Sequence, residues 1–517
     1  MTENYAYWLL VSSLLFIILS FFLNQKTNST AQNKRMIHWF NLVGLTSSIV
    51  GVSFLNLSSN ETDFITIQGV GHLFKFDVLS IIMFIMIQII SYIVLMYSNT
   101  YLEGDPNRHT FLKRMILTII SVQLMVSSGN LISLFAFWVT TSLTLNQLIK
   151  FYQNRKNSLI AAKKKNIISR IGDAFFILAI SLIYKELNTF DLSLIFSKIS
   201  EIENLTFNLQ LAGIFLVLTA IFKSAQIPTH GWLIEVMEAP TPVSALLHAG
   251  ILNAGPFLMI RMAYLIDISE RAQQLIIIIG GLTALIASII FMTQPAVKTM
   301  LVYSSVAHMG FSLTLCGLGL YPAALLHLVA HSFYKAHAFL SSGSIIESVK
   351  AAKINPAERK FSSLKVILSF GLAIVIFIGL TELYTVHILE NFPLMITSIV
   401  IMSGSSILLV LSLDSNSNFK VVFNSVLYTA LIGTSFIFLE SGASLLIKSS
   451  IPELTEMPYT SKVITIVIIS LYVLTIFAQF YLKRIKESSL GNKLGIHFKN
   501  GLYLNTYFDK LIGSYKL

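Results

Sequence analysis

In the stretch HLVAHSFYKAHAFL, His327, His331 and Lys335 recur at intervals of four residues. On a helix of 3.6 residues per turn this spacing drifts by only about 40° per step, so the three line one stripe. Two imidazoles with ordinary pKa values of about 6.5, beside an ammonium group, make a chain along which a proton can be handed. His337 falls off that stripe. Zinc is a second reading of the histidine pair, although neither a third protein ligand nor the HExxH base accompanies it. Upstream, KTMLVYSSVAHMGF adds Lys298 and His308 to the set.

A second group lies earlier in the chain. Lys223 follows twelve mainly apolar residues, and Pro228 then removes a backbone donor and breaks the helix. Freed carbonyls beside a buried lysine are expected where irregular backbone lines an ion-accessible cavity. The competing reading is that Lys223 runs its stem along the helix and reaches the interface. His230, Glu235 and Glu238 precede Pro240 and Pro242, and serve either as interfacial caps or as proton ports. His248 follows in a segment with small neighbours, Ala245 and Ala249, where a core histidine satisfied by a carbonyl is the alternative. In SRIGDAFFILAI, Arg170 and Asp173 stand three residues apart, close enough to pair on one helical face or to anchor the helix end. An ionisable group in hydrocarbon costs about 2.5 kcal/mol or more, so such groups mark ion pathways when they occur.

The elements that must position these side chains are membrane helices. Of 517 residues, 55% are hydrophobic and 12% charged, and the mean hydropathy is +0.74. A soluble interior cannot absorb that many apolar side chains. The apolar runs fall near 5–23, 36–57, 76–98, 112–127, 130–149, 166–184, 209–226, 242–266, 273–293, 298–318, 322–347, 362–386, 393–413, 420–447 and 462–482. They predict an all-α polytopic membrane protein with about 13–15 transmembrane helices. Cys316 is the lone cysteine, so one chain can build neither a disulfide nor a thiolate metal site.

Lys and Arg outnumber Asp and Glu 36 to 25, for a formal charge of +11. The excess crowds alternate loops, with Lys34 and Arg35, then Arg108 to Arg114, then Lys150 to Lys165, then Lys350 to Lys360, and finally the tail. By the positive-inside rule this predicts a multi-pass protein of the cell membrane with its N-terminus outside and its C-terminus cytoplasmic. The basic excess therefore faces membrane lipid and the cytoplasm, and a nucleic-acid partner loses its motive. Alternation at Phe64, Ile65, Thr66 and Ile67 predicts a short extracellular hairpin, and residues 491–517 an amphipathic interfacial segment. The first run lacks a basic n-region and a cleavage site, and is read as a helix and not a signal peptide.

The segment FKSAQIPTHGWLIEVMEAPTPVSALLHAG resembles the broken-helix signature of the antiporter-like subunits of respiratory complex I and of multisubunit cation/proton antiporters. SRIGD, KTMLVYSSVAHMGF, HLVAHSFYKAHAFLSSGS and NGLYLNTYFDKLIG carry the same resemblance, which covers most of the chain beyond residue 70. It implies a proton-conducting antiporter-like bundle with two inverted five-helix repeats and broken helices. On that basis the chain divides into N-terminal helices with the hairpin (1–110), a first repeat (111–266), a second repeat (267–450) and a C-terminal helix with its tail (451–517). The resemblance matches Lys223 to the buried lysine of the first repeat, and His248, His327, His331 and Lys335 to the central polar axis.

Two departures stand out. Val139, directly after Trp138, occupies the position of the family's glutamate, the usual partner of Lys223. The second broken helix, IVIFIGLTELYTVHIL, lacks its lysine and offers only Glu382 and His387. This combination is similar to the DabB-type (also MpsA-type) membrane subunits of two-component inorganic-carbon transporters. That resemblance implies a non-enzymatic subunit that conducts H+ or Na+ and so energises uptake of CO2 or bicarbonate by a DabA-type zinc protein on the cytoplasmic side. Any zinc would sit in that partner, resembling a β-carbonic anhydrase, with no cofactor in this chain. Asp173, with Arg170, is then expected to replace the missing glutamate beside Lys223. The residues do not choose between the ions: Lys and His suit proton relay, whereas Asp173 and Ser304 could hold sodium. An antiporter subunit, a respiratory NADH dehydrogenase subunit and a membrane scaffold remain the other readings.

Overall fold

The computed structural model describes residues 7–23, 29–58, 62–152, 155–202, 205–342, 363–384, 391–414, 419–453, 456–480 and 488–512. Each of the fifteen apolar runs carries a helix. In order, α1 (Tyr7–Leu23) and α2 (Thr30–Ser58) precede an antiparallel hairpin, β1 (Thr62–Ile67) and β2 (Gly71–Phe76), in which Thr66 opposes His72. Then come α3 (Val78–Tyr101), α4 (Arg108–Val126), α5 (Leu131–Ile149), α6 (Lys156–Leu187), a short α7 (Leu192–Ser200) and α8 (Phe207–Lys223). Four short helices follow, α9 (Gly231–Glu235), α10 (Thr241–Ala249), α11 (Ala254–Arg261) and α12 (Ala263–Ile268). The long elements resume with α13 (Glu270–Phe291), α14 (Val297–Gly317), α15 (Tyr321–Leu340), α16 (Ser363–Leu383), α17 (Phe392–Asp414), α18 (Phe419–Ile447) and α19 (Tyr459–Phe480). The tail forms α20 (Ser489–Lys499) and α21 (Leu504–Ile512).

Among the described residues, eleven helical segments are long and apolar enough to cross a bilayer, and Val11–Ser20 and Phe207–Lys223 are shorter apolar ones. The helix α15 is less apolar because it carries three histidines and Lys335. Local chemistry sets the helix starts. Asp77 accepts from the Ser80 amide at 2.9 Å, and Asn130 from the Ser133 amide at 2.7 Å, each capping a donor the first turn cannot satisfy. Against the expected run of 166–184, α6 begins ten residues earlier. Its lysines are good helix formers, and two of them find buried acceptors.

Two runs do not form single helices. The run at 209–226 stops at Lys223, where Ala225 turns to φ +51° and Pro228 cannot donate. The run at 242–266 is divided at Gly250 and the 3-10 turn Ile251–Asn253 into α10, α11 and α12. Close approach holds the break in place, since a Cβ on Gly255 would lie 2.7 Å from the Ala220 carbonyl of α8. The same logic joins α13 to α14, where a Cβ on Gly280 would meet the Gly310 carbonyl at 2.8 Å.

The loops sort onto two faces. On one, the Tyr152 hydroxyl donates to Asp105 at 3.0 Å, joining loops 102–107 and 150–155. On the other, the hairpin is stitched to loops 127–130 and 188–191. Phe74 bridges Ser128, and Asp191 accepts from the His72 amide at 2.8 Å while capping α7 through Ser193 and Leu194. Arg261 is buried against Asp77 on this side and also donates to Ser80 Oγ at 2.6 Å.

Candidate functional site

Lys223 closes α8 with its side chain buried. Its Nζ donates to Ser142 Oγ and to the Trp138 carbonyl at 3.3 Å, and stands 4.5 Å from the centre of the Trp138 ring. The amine therefore does not reach solvent by its stem. It is held by α5, one helical turn of which presents Trp138 and Ser142 at i and i+4. Lys165 of α6 reaches the same turn from the other side and donates to the Ser142 carbonyl at 2.5 Å. One serine thus joins two buried lysines, through its hydroxyl and its carbonyl.

Asp173 is buried and pairs with Arg170 at 2.7 Å, while Arg170 itself is 41% exposed. Lys223, Lys165 and Asp173 feel one another's charge. Three bases therefore share one carboxylate where water is scarce and Coulomb terms are large. Arg170 and Asp173 pair as the sequence spacing allows, Arg170 exposed and Asp173 buried, and Lys223 is buried nearby on Trp138 and Ser142 without a direct bond to Asp173. Lys165, Ser142 and the Trp138 π-face were not anticipated, and Lys165 was counted among loop cations because its sequence neighbours are Lys163 and Lys164.

The second cluster is built by α14 and α15. His308 Nδ1 lies 3.3 Å from His327 Nε2, and the His308 and His331 rings are 5.1 Å apart. Lys335 is fully buried and donates to the Leu301 carbonyl at 3.1 Å. His248, on α10, stacks on Phe339 of α15 with ring centres 4.3 Å apart. No carboxylate among the described residues pairs with any of these five bases. Both nitrogens of His331 and Nδ1 of His248 are buried without a protein partner, as are Ser224 Oγ, Gln226 Oε1 and Asn253 Oδ1 around the helix breaks. Buried polar atoms of this kind call for water or an ion. A cavity of about 430 Å³, lined by Ser304, His308, His327 and Tyr472 among others, opens beside the cluster.

Other expected members stand apart. Glu238 is exposed, and its carbonyl rather than its carboxylate is engaged, by Arg155 at 2.9 Å. It closes the 3-10 turn Val236–Glu238, of which only Val236 is buried. Lys298 is half-buried in the first turn of α14, ten residues and so about 15 Å along the helix from His308. Glu382 is exposed near the end of α16, and His387 lies outside the described residues. Glu235, by contrast, pairs with Lys164, which also pairs with Asp509 of α21. The amphipathic tail is also fastened to the bundle, through Asp509 to Lys164 of α6 and through Asn505 to Glu235 of α9. Glu440, buried on α18, was also missed, since its neighbours in sequence give no periodic signal.

The family described as NADH:quinone oxidoreductase/Mrp antiporter, TM, matches residues 128–413, and the one described as NADH-Ubiquinone oxidoreductase (complex I), chain 5 N-terminus, matches residues 66–112. A protein of Hydrogenovibrio crunogenus named "Probable inorganic carbon transporter subunit DabB" is 38% identical over 68% of this chain and 67% of its own length. "Probable inorganic carbon transporter subunit DabB2" of Halothiobacillus neapolitanus is 32% identical over 84% of this chain and 78% of its own. The fold is similar to a chain in the Mrp complex from Dietzia sp. DQ12-45-1b, with a TM-score of 0.64 and 19% identity, covering 94% of this chain and 57% of that one.

Proposed function

Because the chain belongs to the NADH:quinone oxidoreductase/Mrp antiporter transmembrane family, and within it to the DabB-type membrane subunits, we propose that it conducts H+ or Na+ across the cell membrane. The ion's descent energises uptake of inorganic carbon, as CO2 or bicarbonate, by a DabA-type zinc protein docked on its cytoplasmic face. The observation that carries this reading is the site at Lys223, where two buried lysines share Ser142 beside a helix break, with the buried Asp173 and its partner Arg170 close by. A transport subunit needs such a set and a scaffold does not, since replacing buried ion pairs by apolar packing is often neutral or stabilising.

Asp173 takes the place of the carboxylate that Val139 lacks. When Asp173 faces Lys223 the ammonium is favoured, and when it swings to Arg170 the proton is released. Released charge passes to His248, His331 and Lys335, with His308 and His327 as a second pair of imidazoles in reach. One elementary charge moving inward yields about 2.3 kcal/mol per 100 mV, which is the work available per ion to the partner. The basic face, which carries Arg108, Arg114, Lys150 and Arg155, is taken as cytoplasmic under the positive-inside rule.

The test is labelled inorganic-carbon uptake in carbonic-anhydrase-deficient cells expressing the chain with its partner, and each alone, with and without a protonophore or sodium. Accumulation that needs both proteins is expected, and the condition that stops it names the ion. No accumulation by an assembled complex would overturn the reading. A subunit of a cation/proton antiporter or respiratory NADH dehydrogenase is the second reading, favoured by the family match over residues 128–413; cation exchange by the chain without the carbon-transport partner, or copurification with quinone-reducing subunits, would mark it.

A further inference from the structure

A third ionic cluster lies on the basic face, outside the groups used above. Lys164 has no exposed side-chain surface, yet it pairs with two carboxylates from distant parts of the chain, Glu235 on α9 and Asp509 on α21. Those carboxylates keep 20% and 13% of their side-chain surface exposed, so the cluster is partly open while Lys164 is closed off. Asn505 on the same tail helix donates from Nδ2 to Glu235 Oε1 at 3.1 Å. Two oxygens remain buried with no protein donor, Glu235 Oε2 and Asn505 Oδ1. A closed structural clamp would leave neither orphaned, because each unpaired buried acceptor costs about 1–3 kcal/mol. Unpartnered acceptors on two neighbouring side chains beside a partly exposed pair of carboxylates suit a hydrated cation. The next residue, Lys165, turns about 100° around α6 and donates to the Ser142 carbonyl. The Ser142 hydroxyl accepts from Lys223.

We propose that Glu235 and Asp509, bridged by Lys164, form the port through which a cation enters the Lys223 site from the basic face, so that the C-terminal helix supplies half of the port. This rests on the cation-conducting reading above. The ligand class is a hydrated monovalent cation, hydronium or sodium, taken up by carboxylate oxygens and passed along α6. Lys164 is a positioning residue: it holds the two carboxylates together and keeps their combined charge low enough for the ion to leave.

The same geometry provides a control for a merely structural tail. A Cβ on Gly231 would lie 3.3 Å from the Asn505 Cβ, a separation near that of disulfide-linked residues. Gly231→Cys with Asn505→Cys therefore fastens α21 to α9 without either carboxylate. The experiment measures cation-dependent inorganic-carbon uptake by the assembled two-protein complex in membrane vesicles, with H+ or Na+ as the probe ion. Wild type, Asp509→Asn, Glu235→Gln, the cysteine pair alone, and the cysteine pair with Asp509→Asn are compared. Both carboxylate variants are expected to lose about tenfold in rate; the cysteine pair, which removes the Asn505 amide, sets its own reference rate, and against that reference Asp509→Asn is expected to stay about tenfold slow when cross-linked. Wild-type rates in both Asp509→Asn and Glu235→Gln would overturn the port, and so would recovery of Asp509→Asn on cross-linking, which would make Asp509 a fastener. Absence of uptake in the wild-type complex would instead fail the underlying functional reading.

Discussion

The Lys223 cluster and the histidine cluster are both buried and both basic, but they differ in how their charge is balanced. Near Lys223, Asp173 supplies a negative charge, which Arg170 holds at 2.7 Å. Around Lys335, four imidazoles approach one another and no carboxylate among the described residues pairs with them. The first arrangement can hold an extra proton and let it go when a carboxylate moves. The second can pass one along, because a neutral imidazole donates at one nitrogen and accepts at the other, and no carboxylate among the described residues pairs with it to trap the charge. On the proposed reading, this difference assigns the switch to α5, α6 and α8, and the wire to α14 and α15.

The largest test of this division is Lys223→Ala. It removes the group the switch acts on, and coupled uptake by an assembled complex should fall by about 100-fold or more, the scale of losing a positioned acid–base group. Asp173→Asn should cost about tenfold, as one pKa unit of differential interaction is tenfold in equilibrium. A second change sharpens that point. Val139 stands at i−3 from Ser142 on α5, so Val139→Glu in the Asp173→Asn background returns a carboxylate to the face that holds Lys223 and should restore part of the rate. In the wire, His327→Gln should give a smaller loss than the roughly tenfold of Asp173→Asn, because His308 also reaches His331, with ring centres 5.1 Å apart. Uptake assays normalised to complex recovered in the membrane read all four.

Stability separates from transport at the opposite face. Burial opposes the charge on Asp77, but the Arg261 guanidinium outweighs it and leaves the carboxyl below its ordinary value. A lowered folded-state value means that this stability is present above the unfolded value of about 3.9 and is lost as pH falls below it. Thermal unfolding of the detergent-solubilised complex should show that loss on acidification. Asp77→Asn, which strands the Arg261 charge, should lower stability at neutral pH by about 3–5 kcal/mol and flatten the acid limb.

Hydropathy made the helices legible because a span must be apolar over its length, and all fifteen runs carry one. It could not show that the run at 242–266 is three short helices, since Gly250 breaks a helix through backbone freedom without changing hydropathy. Lys223, Asp173 and Arg170 were legible because charge inside an apolar run is conspicuous. Lys164 and Lys165 were not, because a cation within a basic loop looks solvated until α6 is seen to extend through it. The four-residue spacing showed the His327–His331–Lys335 stripe and the family resemblance the missing glutamate at Val139, but neither showed Ser142, which two lysines reach from different helices. Asp509 was hidden for the same reason, being 345 residues from its lysine partner, 509 − 164.

The central claim is that an ion passes through the Lys223 cluster, and the most direct measurement is ion movement itself. The assembled complex in proteoliposomes carrying a pH-sensitive or sodium-sensitive dye is given an inside-negative potential and inorganic carbon. Wild-type vesicles should take up the coupling ion, whereas Lys223→Ala vesicles with equal complex content should not. Equal ion uptake by the two would contradict the account.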